Sequence, residues 1–321
     1  MAQADSVRET DAWLTQYRDL ASIESLALTG ASLTDAGLAY LRKAQHLRAL
    51  YLEDNAITDA GLVNLRDLPH LESLALSGTR ITDAGLAYLQ GLTGLRELAL
   101  AETIIDDAGM IYLRELHALQ KLSLYDTRVG DKGLSDLENL THLQVLSLGK
   151  TLVTDTGLEV AGRFKSLQAL EVMHTAIGDR GLGYLRHLVE LQELDLSSTE
   201  ISDVGMAHLQ SLAALRVFTL DSTDIGDVGA SYLPSLIALQ ELDLSNTHIS
   251  DIGLTYLRDL TTLEDLYLNG TNITDDGLVN LRGLTALQWL HVTDTKVTAD
   301  GLRGLAEILP RCEFELYGEA D

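Results

Sequence analysis

Aspartates recur along this chain at a fixed interval, and they are the first residues whose chemistry needs an explanation. Asp occupies the same place in eleven successive 24-residue units, from Asp35 to Asp275. Such a row could bind metal ions, but a calcium site clusters several oxygen ligands in one loop, and here each loop supplies one carboxylate. Thr or Ser usually precedes the Asp, a pairing typical of a helix N-terminus. We therefore predict a structural role for this column and no metal site.

Other carboxylates and histidines lie where they could take part in acid–base chemistry. Asp195 and Asp243 hold the same position two units apart, and paired carboxylates can act as acid and base. Histidine stands near a carboxylate at two places, His174 with Glu171 and His291 with Asp265. The sequence contains no phosphate-binding Gly loop and no nucleophile elbow. Because an open sheet neither excludes water nor encloses a substrate, we predict that the protein is not an enzyme and uses no cofactor.

The elements that must position these side chains follow from the 24-residue unit itself, which fills residues 23–310 twelve times without insertion or deletion. Positions 4 and 6 of the unit are apolar with strand spacing, so both point inward. Apolar residues at positions 16, 19 and 22 have the spacing of a helix face or of tight helical turns. One unit cannot bury its own apolar side, so neighbouring units must stack. The sequence predicts a curved, right-handed α/β solenoid with a parallel sheet on the concave face and helices on the convex face.

Three further columns of the unit have structural explanations. Gly stands at position 15 of every unit although it costs about 1 kcal/mol against Ala in a helix, and we attribute it to close approach of the helix and strand backbones. Thr stands at position 9 in ten units, where its hydroxyl can satisfy backbone groups as the strand ends. Tyr recurs at position 18, where we expect half-buried packing on the convex side.

Both ends of the array need caps, because the end repeats would otherwise expose core. Residues 1–22 include a stretch in register with the second half of a unit, and they predict an N-terminal capping helix in which Trp13 replaces the Gly. Residues 311–321 predict one last strand followed by a loose tail. Repeats and caps together would form one continuous domain. Residues 1–8 contain no apolar run, so we expect no signal peptide and no membrane span.

The formal net charge of −25 argues against nucleic acid and anionic membranes as partners. An acidic surface could also reflect a saline habitat. Cys312 is the single cysteine, so an intrachain disulfide is excluded and a reducing compartment is favoured. We predict a cytoplasmic protein, or one delivered into the cytosol of a host cell as an effector.

The unit resembles the repeats of the leucine-rich-repeat superfamily from residue 23 to residue 310. Residues 81–89, ITDAGLAYL, are similar to the repeats of F-box-associated and other cysteine-containing repeat proteins, and residues 309–314 are similar to the ends of such arrays. This chain has Thr where that subclass has Cys, and its slightly shorter unit looks most like repeats of bacterial proteins. The resemblance implies a module for protein–protein interaction and carries over no catalytic residue.

If the repeated positions are scaffold, function lies in the positions that vary on the concave sheet. In the later units these positions turn acidic and then aromatic. Neighbouring units stack about 4.8 Å apart, so seven carboxylates should form one surface, which we name the acidic stripe. Its members are Glu171, Glu193, Asp195, Asp221, Glu241, Asp243 and Asp265. Like charges side by side repel, and the sequence suggests no structural role for them. The stripe leads to Tyr267, Trp289 and His291, the aromatic cluster, which has the composition of an interface hot spot.

We therefore predict a protein partner that places a basic segment on the acidic stripe, with Trp289 and Tyr267 as anchors. Three alternatives remain: a merely solvated acidic face with Trp289 partly covering the C-terminal cap, a surface that binds carbohydrate or cell-wall glycan, and a consensus-like designed scaffold without a natural partner. A second cluster of mixed charge contains Arg48, Tyr51, Arg96 and Tyr125, and it predicts no ligand type. A monomer is favoured, although no residue decides the oligomeric state.

Overall fold

A computed structural model describes residues 2–3, 11, 14 and 20–316. The chain divides into two compact units, Met1–Val153 and Thr154–Asp321, which we name the N-terminal half and the C-terminal half. Each half has a parallel sheet on one side and short helical segments on the other. This arrangement confirms the predicted α/β repeat fold. The prediction of a single continuous domain, with caps at residues 1–22 and 311–321, stays a prediction.

In the N-terminal half, neighbouring strands pair in parallel and in chain order. The strands are β1 (Ala2–Gln3), β2 (Ser25–Ala27), β3 (Ala49–Tyr51), β4 (Ser73–Ala75), β5 (Glu97–Ala99), β6 (Lys121–Ser123) and β7 (Val145–Ser147). The α-helices are α1 (Asp35–Leu38), α2 (Asp59–Leu62), α3 (Asp83–Leu86), α4 (Asp107–Met110) and α5 (Asp131–Ser135), with 3-10 helices at Leu20–Ser22 and Ala39–Lys43.

The C-terminal half repeats this arrangement, again with parallel neighbours in chain order. Its strands are β8 (Ala169–Glu171), β9 (Glu193–Asp195), β10 (Val217–Thr219), β11 (Glu241–Asp243), β12 (Asp265–Tyr267), β13 (Trp289–His291) and β14 (Glu313–Glu315). Its α-helices are α6 (Asp155–Ala161), α7 (Asp179–Leu185), α8 (Asp203–Met206), α9 (Asp227–Ala230), α10 (Asp251–Leu254) and α11 (Ala299–Ala306), with 3-10 helices at Leu233–Ser235 and Gly277–Leu281.

The core of each repeat lies between its strand and its helical segment. In the repeat that contains β11, Leu242 and Leu244 at positions 4 and 6 are both 0% exposed. Leu254 and Leu257, at positions 16 and 19, are also fully buried. The apolar pattern of the unit therefore predicted the core positions correctly. Five of the six recurring tyrosines at position 18, including Tyr88 and Tyr256, are half-buried as expected, whereas Tyr40 is exposed.

The helical segments are shorter than a full amphipathic helix. Most repeats have a single α-helical turn at positions 13–16, followed by tighter turns. In one of these turns the Leu65 N–H donates to the Leu62 carbonyl at 2.9 Å, and the Leu68 N–H donates to the Leu65 carbonyl at 3.1 Å. A hydrogen bond every three residues matches the spacing of the apolar positions 16, 19 and 22. Of the two predicted alternatives, tight helical turns describe most repeats.

The threonines at position 9 close the end of each strand, as predicted. The Thr247 hydroxyl donates to the Leu244 carbonyl at 2.6 Å, and Thr271 donates to the Leu268 carbonyl at the same distance. Just before them, position 8 adopts a left-handed backbone in all twelve repeats, a feature that the sequence reasoning missed. Only three of these residues are Gly; others include Lys150, with φ of 54°. The signal was present, since Asp, Asn, Ser and Gly dominate this column and tolerate positive φ better than bulkier residues.

Within each half, the aspartates at position 13 connect one repeat to the next. Asp227 Oδ1 accepts the N–H of Ser250 at 2.9 Å, and Asp227 Oδ2 accepts the Ser250 hydroxyl at 2.6 Å. Oδ1 also accepts the Gly253 N–H at 2.8 Å. We name this set of bonds the aspartate ladder. Its first bond recurs at Asp11, Asp35, Asp59, Asp83, Asp107, Asp155, Asp179, Asp203, Asp251 and Asp275. The column is structural, as predicted, and it also caps the helix of the following repeat.

The aspartate ladder explains why position 15 is Gly, and the explanation differs from the one that we predicted from the sequence. A Cβ added to Gly253 would lie 2.6 Å from Asp227 Oδ1, and one added to Gly205 would lie 2.5 Å from Asp179 Oδ1. The residue must be Gly because the aspartate of the preceding repeat packs directly on it. The close approach is therefore between neighbouring repeats. The predicted approach between the helix and strand backbones of one repeat is wrong.

The two ends of the array are described only in part. Asp11 and Leu14 are helical, and Leu14 is 1% exposed, which fits a capping helix. Trp13 and most of the predicted helix lie outside the described residues. Strand β1, which pairs with β2, was not predicted. At the other end β14 is the expected last strand and pairs with β13, while the predicted loose tail at 318–321 lies outside the described residues.

We expect Gly253→Ala to lower the free energy of unfolding by about 1–3 kcal/mol, because the added methyl group collides with Asp227 Oδ1. In an Asp227→Ala background the same change should cost much less, which denaturant unfolding of the double-mutant cycle would measure. Gly304→Ala is the matched control, since nothing lies within 4 Å of its added Cβ, and it should stabilise α11. Additive effects of the first two changes would contradict the ladder.

Candidate protein-binding face

The exposed side of the sheet in the C-terminal half carries the predicted site. Each strand buries its middle residue and turns the residues on either side outward. In β12, Leu266 is 0% exposed, whereas Asp265 and Tyr267 are both half-buried on the opposite side. Positions 3 and 5 of each repeat therefore form two parallel rows of side chains on one face.

Strand register brings the predicted residues together. The position 3 row is Glu193, Val217, Glu241, Asp265, Trp289 and Glu313. The position 5 row is Glu171, Asp195, Thr219, Asp243, Tyr267, His291 and Glu315. In these two rows the uncharged residues of β10 separate the carboxylates of β8 and β9 from those of β11 and β12, whereas Asp221, two residues after β10, adds a carboxylate in the same repeat. Glu313 and Glu315 extend the acidic surface past the aromatic cluster, and sequence reasoning did not include them, although their alternation around Phe314 was visible.

The carboxylates of the second group oppose one another's ionisation. Burial raises the pKa of Glu241, and the charges of Asp265, Asp243 and Glu193 raise it further. Burial also raises the pKa of Asp243, against the lowering effect of its hydrogen bond to Ser245. Among the described residues, no Lys or Arg forms an ion pair with a carboxylate of the acidic stripe. The described part of the chain therefore supplies no Lys or Arg that compensates the negative charge of the acidic stripe.

Three carboxylates of the acidic stripe have a structural role that we did not predict from the sequence. Asp195 Oδ1 accepts the N–H of Ser197 at 2.9 Å, and Asp243 Oδ1 accepts the N–H of Ser245 at 2.8 Å. These bonds satisfy backbone donors where the strands end. Asp221 accepts bonds from its neighbours Ser222 and Asn246. Our expectation that the residues of the acidic stripe have no structural role is therefore wrong for Asp195, Asp221 and Asp243.

Asp265 differs from the other aspartates of the face. Its Oδ1 atom is buried and has no hydrogen-bond partner among the described residues. The register places Asp265 between Glu241 on β11 and Trp289 on β13. A buried carboxylate oxygen without a donor costs free energy, and a like charge beside it adds to that cost.

The aromatic cluster is a stack of rings at the end of the stripe. The Tyr267 and His291 rings lie 4.3 Å apart between centroids and are inclined by 7°. The Trp289 and His291 rings lie 6.2 Å apart and are inclined by 17°. Trp289 is 43% exposed, and burial together with the nearby carboxylates raises the pKa of Tyr267. His291 Nδ1 pairs with Glu315 Oε2, so its carboxylate partner is Glu315 of β14 and not Asp265.

The structure does not bring the other predicted combinations of residues together. Asp195 and Asp243 stand two strands apart with Thr219 between them, about 10 Å by strand spacing, and each uses one oxygen to bind a backbone N–H. His174 lies at a left-handed backbone position and is exposed, and it forms no hydrogen bond or ion pair with Glu171. Within the described part of the chain, no three His, Cys, Asp or Glu side chains converge as a metal site.

In the predicted second cluster, which lies in the N-terminal half, the two arginines form ion pairs within the chain. Arg48 and Arg96 both contact Glu72, the former closely and the latter at 3.7 Å. Tyr125 lies instead beneath Lys150, whose ammonium is 5.1 Å from the ring centroid. Tyr51 lies in β3 and shares no hydrogen bond or ion pair with the two arginines. The structure thus joins two of the four predicted residues, and their charges are largely compensated within the chain.

Comparison with known proteins agrees with this geometry. The family model described as "Leucine rich repeat" matches residues 237–297, and a second "Leucine Rich repeat" model matches residues 43–65, 67–89, 165–185 and 190–209. The chain belongs to the leucine-rich-repeat superfamily. No curated protein matches it in sequence. No described helix has the length and apolar character needed to cross a membrane.

Solved structures with the same fold include two proteins of Listeria monocytogenes. An internalin, InlF, is 24% identical with a TM-score of 0.74, covering 96% of this chain and 93% of that one. Internalin C2 is 32% identical with a TM-score of 0.54, covering 63% of this chain and 82% of that one. A plant peptide hormone receptor, RGFR1, solved in complex with RGF2, is 16% identical with a TM-score of 0.59, covering 92% of this chain and 47% of that one.

We expect the double variant Glu241→Gln/Asp243→Asn to be more stable than the wild type at neutral pH. Both carboxyls have a raised pKa in the folded chain, so folding opposes their ionisation. The stability difference should shrink as the pH falls through the raised pKa values and vanish below the ordinary carboxyl range, where both groups are protonated in either state. Urea unfolding across this pH range measures it, and a difference that grows on acidification would contradict the account.

Proposed function

We propose that the exposed sheet face of the C-terminal half binds a basic segment of a partner protein. The observation that carries this proposal is the uncompensated charge of the acidic stripe: its carboxylates are aligned by strand register, and no Lys or Arg of the described chain pairs with them. A Lys or Arg of a partner would supply the missing counter-charge. Repeat proteins of this architecture commonly use the sheet face as an extended binding surface.

The dimensions of the stripe suggest how such a segment lies. From β8 to β12 the surface crosses five strands, which span about 19 Å at the usual strand spacing. About six residues of extended chain cover that distance. Because β10 itself is uncharged, most basic residues would fall in two groups, one opposite β8 and β9 and one opposite β11 and β12, and Asp221 would offer one carboxylate in the repeat between them.

The aromatic cluster supplies the apolar part of the interface. Trp289 presents an exposed ring beside the stripe, and the His291 ring stacks both with it and with the Tyr267 ring. Large aromatic side chains next to charge are the usual anchors of protein interfaces. The pairing of His291 with Glu315 ties the cluster to β14 and fixes the position of the stack.

A glycan is the second candidate ligand, because stacked aromatic rings beside carboxylates also suit sugar rings. The salt dependence of binding separates the two candidates. A basic segment should bind more weakly as ionic strength rises, since exposed charges are screened, whereas a neutral glycan should bind equally well.

We propose that the protein acts as a monomer in a reducing compartment, either the cytoplasm or a host cytosol, because Cys312 is the single cysteine of the sequence. Burial raises the pKa of the Cys312 thiol to about 12, with further contributions from Asp265 and Glu313. At that pKa the thiol is protonated and unreactive at neutral pH. The acidity of the exposed face gives no support for a nucleic-acid or membrane partner.

We expect an oligolysine peptide to bind the wild-type protein with an affinity that falls steeply with salt. The triple variant Asp195→Asn/Asp243→Asn/Asp265→Asn should lose about 10- to 100-fold in affinity, the equivalent of three charge pairs. Asn retains the acceptor oxygens for Ser197 and Ser245, so the strand ends should stay intact. Fluorescence anisotropy with a labelled peptide measures both effects.

The matched control removes the same charge from elsewhere in the C-terminal half. Glu200→Gln/Asp224→Asn/Asp259→Asn changes three exposed carboxylates that do not belong to the acidic stripe. The control should bind almost as well as the wild type. Equal losses in the two triple variants would mean that binding follows net charge alone, and the proposal would fail. The variant Trp289→Ala/Tyr267→Ala tests the anchors in the same assay and should also bind more weakly.

A further inference from the structure

One column of the repeat loses its large side chain in the last repeat. Position 18 is Tyr in six repeats, and in the twelfth it is Gly304, which lies in α11. A Cβ added to Gly304 would have nothing within 4 Å. The space that a position 18 side chain fills in other repeats is therefore open beside α11.

An earlier repeat of the same half shows where a position 18 ring lies. His208 holds this position there, and a Cβ added to Gly183 would lie 3.8 Å from Cε1 and Nε2 of His208. Gly183 is position 17 of the preceding repeat. A position 18 ring thus lies against position 17 of the repeat before it. The equivalent neighbour of Gly304 is Val279, whose side chain is exposed.

A groove of about 450 Å³ lies at this place, between the 3-10 helix Gly277–Leu281 and α11. Val279 and Gly304 both line it, as the comparison with His208 requires. A groove of this size can take one aromatic side chain. Its apolar lining includes Leu278, Val279 and Leu305, and its polar lining includes Asp276, Arg282 and Asp300.

We propose that this groove receives a tyrosine side chain of a partner protein, which takes the place of the ring that position 18 supplies in other repeats. The repeat itself indicates this occupant, since Tyr184, Tyr232 and Tyr256 are half-buried in the same column of the C-terminal half. The inference goes beyond the proposed function, because the groove is formed by helical segments and the proposed function uses the exposed sheet face.

Tyrosine fits the groove better than an aliphatic side chain of similar size. The apolar lining removes the ring from water, which either kind of side chain would gain. A buried tyrosine hydroxyl also needs a hydrogen-bond partner. Asp276 and Arg282 offer an acceptor and a donor, and neither forms an ion pair among the described residues. A leucine would cover these two groups without bonding to them, at a cost in free energy.

The test uses two uncharged probes, N-acetyl-tyrosinamide and N-acetyl-leucinamide, on the intact chain. Shifts of the methyl NMR signals of Leu278 and Leu305 report binding in the groove. The tyrosine probe should bind the wild type with a dissociation constant of about 1–10 mM, as expected for so few atoms. The leucine probe should bind at least about threefold more weakly, because it makes no hydrogen bond in the groove.

Two variants block the groove from opposite sides. Gly304→Tyr supplies the missing ring from within the chain, and Val279→Glu puts a charge on the facing wall. Position 17 carries Glu159 and Arg303 in other repeats, so a charge there is compatible with the fold. Each variant should weaken binding of the tyrosine probe by at least about tenfold.

Gly91→Tyr is the matched control, since a Cβ added to Gly91 also has nothing within 4 Å and the residue lies in the N-terminal half. It should bind the tyrosine probe as the wild type does. Thermal unfolding of each variant confirms that it is folded at the temperature of the binding assay.

Loss of binding in Gly304→Tyr and Val279→Glu, with binding retained in Gly91→Tyr, supports the tyrosine groove. The proposal is overturned if the wild type does not bind the tyrosine probe, if the blocking variants still bind it, or if the leucine probe binds equally well. Sedimentation velocity tests the remaining occupant, a second copy of this chain. A wild type that self-associates and a Gly304→Tyr variant that does not would overturn the assignment to a partner protein. Because both probes are uncharged, failure here leaves the basic-segment proposal standing.

Discussion

Within each half, one aspartate holds a repeat to its successor, and most of the recurring sequence follows from that contact. Asp227 accepts two N–H groups and a hydroxyl from the next repeat, so it satisfies donors that the start of α10 would otherwise leave unpaired. The residue before the helix donates to it, which favours Ser or Thr there. The residue on which it packs must lack a side chain, which requires Gly253. A fixed period follows, because an insertion would move the aspartate away from its partners.

The aspartate ladder and the buried leucines hold the repeats together. The residue types on the exposed sheet face can therefore differ from one repeat to the next. Side chains at positions 3 and 5 point away from the core, so substitution there leaves the packing intact. The acidic stripe uses this freedom at some cost in stability, as the raised pKa values of Glu241 and Asp243 and the unpartnered oxygen of Asp265 show. Interactions that destabilise the isolated chain but complement a cation are the kind expected of a binding surface. The N-terminal half contrasts with it, since Glu72 there has Arg48 and Arg96 as partners.

The sequence alone predicted the structural features that depend on its periodicity. Alternation at positions 4 and 6 located the strands, spacing of three located the helical turns, and Thr at position 9 located the strand ends. Strand register then placed Asp265 beside Trp289 as expected. Features that depend on contact between repeats were missed or misassigned. Gly253 lies against Asp227, and His291 pairs with Glu315. In both cases the two residues are about one repeat apart, so no pattern within a single repeat reveals the contact. The backbone bond that Asp195 accepts was also missed, because Asp at that position has several conformations open to it.

The central claim concerns two sets of carboxylates in the C-terminal half: the ladder aspartates, which join repeats, and the stripe residues Glu193, Glu241 and Asp265, which accept no hydrogen bond from the described chain. A scan that replaces each Asp and Glu of the C-terminal half by Ala, with the free energy of unfolding measured for every variant, tests it directly. Ladder positions such as Asp251 should lose about 1–3 kcal/mol, because each leaves backbone donors of the next repeat unpaired. Glu193, Glu241 and Asp265, which accept no hydrogen bond from the described chain, should change little or gain stability. Similar losses in both sets would contradict the division and, with it, the assignment of the exposed face to binding.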